Sequence, residues 1–179
     1  MRVSVQVDYT LAIEIDPKSS SALHNRGSAN DKLQRYAAAI EDFSAAVRID
    51  PNAASTFNSR GLSLDKAGRR TEAVADFTRA IQLEPMNPIF HHNRGFCHRN
   101  LGEYDKAIAD YTKAIELDPS NATAYNNRGY AWRKCGKYAS AVEDYTMSLQ
   151  LEPNNVKTFN NRGYSHAKMR QASSAASRP

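Results

Sequence analysis

Glycine recurs in this chain with a fixed period. Gly27, Gly61, Gly95, Gly129 and Gly163 stand 34 residues apart. Gly68, Gly102 and Gly136 keep the same step, each seven residues after a member of the first set, and these are all eight glycines. Pro17, Pro51, Pro85, Pro119 and Pro153 share the period, leaving Pro88 and Pro179 outside it. A repeat of this length on both turn-forming residue types restricts the chain to a stack of similar supersecondary units, because one such unit cannot bury both its faces alone. The units run 20–53, 54–87, 88–121 and 122–155, with half-units at 1–19 and 156–168.

Inside each unit the apolar residues fall at helical spacing. In the fourth, Tyr125, Trp132, Ala141, Tyr145 and Leu149 occupy two stretches, each of about 14 residues and roughly 21 Å of helix. Gly68, Gly102 and Gly136 lie between the stretches, where a helix ends and a residue must take positive φ. Asp50-Pro51 and Asp118-Pro119 end the second helix, because proline excludes helical geometry at the residue before it. Ser19, Asn87, Asn121 and Asn155 are placed to cap the next first helix; Ala53 breaks that pattern and predicts the loosest start. Residues 169–179 are small and polar and are expected to form a disordered tail.

Composition narrows the setting. A hydrophobic content of 41% supplies enough apolar surface for a core. A mean hydropathy of −0.66, with no apolar run near ~18 residues, speaks against a membrane span. Asp8 interrupts any signal-peptide core. Cys97 and Cys135 are too few for a disulfide framework. The expectation is an intracellular, cytoplasmic protein. The formal charge of +5 invites a nucleic-acid reading, but residues 1–87 hold 11 basic and 11 acidic side chains, and 88–155 hold eight of each. The excess comes from Lys157, Arg162, Lys168, Arg170 and Arg178.

The fourth unit carries Ala-Tyr-Asn-Asn-Arg-Gly-Tyr-Ala-Trp at 124–132, then Gly136, Tyr138, Ala141, Tyr145 and Pro153. In this it resembles the tetratricopeptide repeat family, and the likeness extends over residues 1–168. The resemblance implies an all-α, right-handed superhelix of about ten antiparallel helices. Its concave groove, lined by first helices, would bind an extended peptide or partner segment. No enzyme activity and no cofactor are implied.

Two departures from the commonest family pattern recur, as Asn-Arg-Gly in the first helix and Asp-Tyr/Phe in the second. Arg26, Arg60, Arg94, Arg128 and Arg162 precede the first-set glycines, while Asp8, Asp42, Asp76, Asp110 and Asp144 hold one position of the second helices. Pairing each Asp with the Arg of the following repeat satisfies every member, whereas pairing inside a repeat strands Asp8 and Arg162. The inter-repeat ladder is therefore the expectation, with arginine suited to bidentate carboxylate contact.

By the resemblance, other positions of the first helices face the groove. Asn25, Asn93, Asn127 and Asn161 share one of them, interrupted by Ser59; His24, Asn58, His92, Asn126 and Asn160 share the one before. Amide side chains can hold a peptide backbone, with one acceptor and two donors each. Ser28, Leu62, Phe96, Tyr130 and Tyr164 would add apolar platforms toward the C-terminal end. Asp31 and Asp65 followed by Arg99 and Arg133 predict a groove turning from mildly acidic to basic, selecting acidic groups at its second half. The family's carboxylate clamp for chaperone tails is disfavoured, since lysine is missing where this chain has His24, Asn58, His92 and Asn126.

Other signals are weak. His91, His92 and His98 with Cys97 look metal-like, but the histidines sit where the fourth unit has core aromatics, and Cys97 replaces a small packing residue. The sequon Asn121-Ala-Thr123 is idle without a secretory leader. No nucleophile elbow, phosphate loop or HExxH is present. The partner expected is a protein or peptide, with no nucleic acid and no membrane. The rival role is structural, with uncapped ends of the stack associating end to end.

Overall fold

The computed structural model describes the backbone of residues 2–176 and the side chains of residues 7–172. Among the described residues there are ten helices and no strand. They fall into two compact units, Met1–Met86 and Asn87–Pro179. The first unit holds α1 (Arg2–Ile15), α2 (Ser20–Lys32), α3 (Tyr36–Ile49), α4 (Ala54–Lys66) and α5 (Arg70–Leu83). The second holds α6 (Pro88–Asn100), α7 (Tyr104–Leu117), α8 (Ala122–Lys134), α9 (Tyr138–Leu151) and α10 (Val156–Ala176). Even-numbered helices are the first helices of the sequence repeats. None of the described helices is long and apolar enough to cross a membrane.

Local signals set the helix ends. The side chains of Ser19, Asn87, Asn121 and Asn155 accept from the backbone N–H of Ala22, Ile89, Ala124 and Thr158. Ala53 leaves α4 without a side-chain cap. Between paired helices, Gly68, Gly102 and Gly136 take φ of 83°, 79° and 75°. The following residue then folds its N–H back, as from Arg69 to the Leu64 carbonyl at 2.8 Å. The first repeat makes the same turn with Gln34 at φ 59°. Helix α10 runs to Ala176, past the boundary at 168 where a disordered tail was expected. Gln-Ala-Ser-Ser-Ala-Ala contains neither glycine nor proline to stop it.

Packing inside each pair centres on one aromatic. Phe43, Phe77, Tyr111 and Tyr145 are at most 1% exposed, and each lies against the glycine 16 residues earlier. A Cβ on Gly27, Gly61 or Gly129 would come within 3.0 Å of the ring, and one on Gly95 within 3.2 Å. The aromatic ring, more than the small Ala73 or Ala141, is what the glycine admits. Ala39, Ala73, Ala107 and Ala141 are completely buried beside these rings. His91, His98 and Cys97 are buried as well.

The same geometry overturns the inter-repeat ladder. Arg26 grips Asp42, Arg60 grips Asp76, Arg94 grips Asp110 and Arg128 grips Asp144, each through Nε and Nη2 with the shortest contact at 2.6–2.7 Å. All four pairs lie inside one repeat. Because the second-helix aromatic seats against the first-helix glycine, the residues just before each, Arg and Asp, are brought face to face. The neighbouring repeat still takes part: Arg60, Arg128 and Arg162 donate from Nη1 to Ser44, Thr112 and Thr146 of the preceding second helix. The bond to Asp144 holds the Arg128 guanidinium above its ordinary pKa. The carboxylates are only 4–6% exposed, and at Asp144 burial raises the pKa against the pull of Arg128.

Candidate functional site

The second unit concentrates the expected groove residues on α6, α8 and α10. Phe96 and Tyr130 are half-buried and Tyr164 is 47% exposed. The Arg99 guanidinium lies 4.3 Å from the Phe96 ring centre and 5.4 Å from that of Tyr130. Arg133 lies 4.9 Å from Tyr130 and 5.0 Å from Tyr164. Rings and guanidinium groups thus alternate from helix to helix. The spacing follows from helix geometry: three residues separate Phe96 from Arg99 and Tyr130 from Arg133, which places them on one face. Lys134 and Lys168 extend the cationic series over Tyr130 and Tyr164, at 5.6 and 5.8 Å. Sequence reasoning missed these lysines, although each stands four residues after its tyrosine, a spacing that also shares a face.

Neither Arg99 nor Arg133 has a carboxylate within 4.0 Å among the described residues. Arg99 donates instead from Nη1 to the Asn127 amide oxygen at 2.9 Å. The Nε of Arg133 is buried without a partner. Beneath them lie the two buried tyrosines. Burial pushes the Tyr145 hydroxyl up to about 12, with Arg133 pulling the other way, and it raises Tyr111 likewise against the influence of Arg99.

The polar ladders divide. Asn127 is buried and engaged with Arg99. Asn93 and Asn161 are half-buried, and Asn25 is exposed on α2. Asn126 turns to the following repeat, where its amide oxygen accepts from the Thr158 hydroxyl at 3.2 Å. His24 makes the equivalent contact with Thr56 at 2.9 Å. His92 packs edge-on against Tyr111, 5.4 Å between centres, as His24 does against Phe43 at 5.3 Å. At His24, His92 and Asn126 this position is engaged in packing between helices. Asn58 is half-buried at the same place and Asn160 is exposed. Burial lowers the pKa of both His24 and His92, with Arg99 adding to the effect on His92.

The first unit is different at the same positions. Asp31 accepts from the Ser63 hydroxyl at 2.8 Å and from Lys66 at 2.6 Å, while Asp65 pairs with Arg70 at 3.2 Å. The acidic stretch expected here is thus offset by its own cations. Ser28, Asp31, Lys32, Phe43, Ser59 and Leu62 line an open depression of about 160 Å3. Among the described residues no three His, Cys, Asp or Glu side chains are grouped to hold a metal ion.

Profiles of the tetratricopeptide repeat match residues 20–53, 54–87, 88–121 and 122–155. The chain belongs to the tetratricopeptide repeat family. The repeat boundaries of the family coincide with those set by the glycine period. Solved TPR structures agree. The crystal structure of MamA is 26% identical with a TM-score of 0.78, covering 83% of this chain and 87% of that one. The first TPR of Spaghetti (RPAP3), bound to the HSP90 peptide SRMEEVD, is 29% identical with a TM-score of 0.64, over 65% of this chain and 92% of that one. YrrB, described as a TPR protein with an unusual peptide-binding site, superposes with a TM-score of 0.79 over 88% of this chain and 81% of its own, at 22% identity, and shows the shared all-α solenoid fold. No curated protein matches the sequence.

Proposed function

We propose that this TPR chain is a non-enzymatic scaffold that captures an extended, acidic partner segment along α6, α8 and α10. The observation that carries the reading is the contrast between two sets of arginines. Arg26, Arg60, Arg94 and Arg128 are neutralised by aspartates. Arg99 and Arg133 are held between aromatic rings with no carboxylate beside them among the described residues, so their charge is available to a ligand. Stacking fixes the guanidinium planes in advance and reduces the entropy lost on capture. Asn127 supports Arg99 directly, and Asn93 and Asn161 occupy the same register on α6 and α10, where they would meet backbone amides. Phe96, Tyr130 and Tyr164 supply apolar contact. The RPAP3 domain, with its acidic HSP90 peptide, is a relative that takes a ligand of this charge. This chain would use arginine and aromatic groups for the task, since it has His24, Asn58, His92 and Asn126 in place of clamp lysines.

Fluorescence anisotropy with a labelled peptide of alternating glutamate and tyrosine tests the reading. Arg99→Gln with Arg133→Gln should weaken binding by about tenfold or more, the scale of two charge-assisted contacts. Asn93→Ala with Asn127→Ala should also weaken it. A lysine-tyrosine peptide should not bind. Equal binding of both peptides, or no effect of the arginine pair, defeats the proposal. A single-stranded oligonucleotide that binds more tightly than the acidic peptide, with steep salt dependence, would favour the nucleic-acid rival.

A further inference from the structure

Two positions of the repeat change together between the units. Twelve residues after the groove position, Asp31 and Asp65 lead to Phe43 and Phe77, whereas Arg99 and Arg133 lead to Tyr111 and Tyr145. Phenylalanine fills this core place at 1% exposure, so the packing has no need of a hydroxyl. Both tyrosine hydroxyls are buried, and neither closes a hydrogen bond among the described residues. His92, edge-on to Tyr111, supplies no acceptor, since its own Nδ1 is buried without a partner. An O–H buried in this state costs stability relative to phenylalanine. Among the four complete repeats it occurs only where the groove position is arginine. Arg133 stands near enough to Tyr145 to act on its hydroxyl as a hydrogen-bond donor would, though without the alignment of a full bond, and the charge of Arg99 acts on Tyr111. A guanidinium has only N–H groups, so it cannot accept the phenol proton.

We infer that Tyr111 and Tyr145 complete two equivalent anion subsites, one repeat apart, in each of which a groove arginine and the buried phenol below it together hold one carboxylate of an acidic segment. The inference rests on the reading of α6, α8 and α10 as the surface for such a segment, and it assigns that surface its specificity. In each subsite the guanidinium donates N–H to the carboxylate and the phenol donates its O–H, so the ligand supplies the acceptor that the fold withholds. A side-chain amide offers an oxygen without the charge and gains less from both donors. Burial keeps both phenols protonated at neutral pH, so each O–H is present to donate. The two guanidinium carbons flank the Tyr130 ring, at 5.4 and 4.9 Å from its centre, and are no farther apart than these distances together. Alternate side chains of an extended segment lie on one side and about 7 Å apart, which suits that interval. The ligand selected is an extended chain with acidic residues at alternate positions.

Tyr111→Phe and Tyr145→Phe test the inference, because phenylalanine is what the first unit carries at the same place and the core accepts it. Each should weaken binding of the glutamate–tyrosine peptide by about tenfold, the scale of one hydrogen bond to a charged group. Binding of a glutamine–tyrosine peptide should be weak in the parent and unchanged in both variants. In the full chain labelled with 13C at the tyrosine ring carbon that bears the hydroxyl, the resonances of Tyr111 and Tyr145 should move on titration with the glutamate peptide and stay in place with the glutamine peptide. Thermal melting of both variants should match or exceed that of the parent. If the glutamate peptide binds and depends on Arg99 and Arg133, but both phenylalanine variants bind it as the parent does, the subsites are overturned and the acidic-partner reading stands. Equal losses for both peptides, or a lowered melting temperature, also overturn them, since the hydroxyls would then be serving the fold. A parent that ignores the glutamate peptide removes the acidic-partner reading itself, and the subsites with it.

Discussion

The two units of this protein share a fold and a repeat length but treat charge in opposite ways. At one position of the first helices the first unit has Asp31 and Asp65, and the second has Arg99 and Arg133. The aspartates are consumed locally by Lys66, Ser63 and Arg70. The arginines are stacked on Phe96, Tyr130 and Tyr164, where the first unit has only Ser28 and Leu62. A repeat array separates the residues that hold helices together from those that present a surface. The Arg–Asp pairs beneath are alike in both units, and what lies above them varies freely.

That separation can be broken most forcefully from below. Arg128→Leu leaves the Asp144 carboxylate buried without its cation and should cost about 3–5 kcal/mol of stability in chemical denaturation. The same change at Arg162, which has no carboxylate partner among the described residues, should cost under about 1 kcal/mol. Comparable losses at both positions would mean that the pair contributes little beyond its packing.

The turns offer a smaller contrast between the units. The first unit bears the left-handed conformation on Gln34 at one turn and Gly68 at the other, whereas the second bears it on Gly102 and Gly136. Gln34→Gly should stabilise by about 1 kcal/mol and Gly102→Ala should destabilise by a similar amount, both read from denaturation midpoints. A destabilised Gln34→Gly would show that the glutamine side chain makes a contact worth more than the strain.

The smallest effect concerns His24 in the first unit and His92 in the second. Both have folded pKa values below the ordinary 6.5, with burial the main cause. The unfolded chain therefore binds protons more readily, and the stability from these sites is complete above pH 6.5 and declines as pH falls below it. Substituting asparagine, the residue at 58 and 126, should flatten the decline between near-neutral and mildly acidic pH. Melting curves of the double variant against the parent measure it. An unchanged slope would assign the decline to carboxylates.

Much of the fold was legible because its signals are local. Glycine at the left-handed turn, proline after the second helix and the Ser or Asn caps each act within a few residues, so the sequence carried both element type and boundary. Ala53 shows the limit in one direction, with backbone bonds alone starting α4. The end of α10 shows it in the other, since a small polar stretch without glycine or proline continues a helix as readily as it leaves one. At the site, the resemblance named Phe96, Arg99, Tyr130 and Arg133, but not that the guanidinium groups lie over the rings, which depends on how neighbouring helices pack. The inward turn of Asn126 toward Thr158 was not legible either, because a polar residue on a helix gives no sign of which neighbour it will meet.

The amino-acid sequence by itself determined the repeat, its 34-residue step, the helices within it and the family to which the chain belongs. Tertiary structure alone decided the partners. In a strictly periodic chain, a contact inside a repeat and a contact between repeats recur with the same step, so the period cannot distinguish Arg26–Asp42 from Arg26–Asp8. The choice fell to the seating of Phe43 against Gly27, a matter of how closely two backbones approach. From that one steric fact follow the four closed ion pairs.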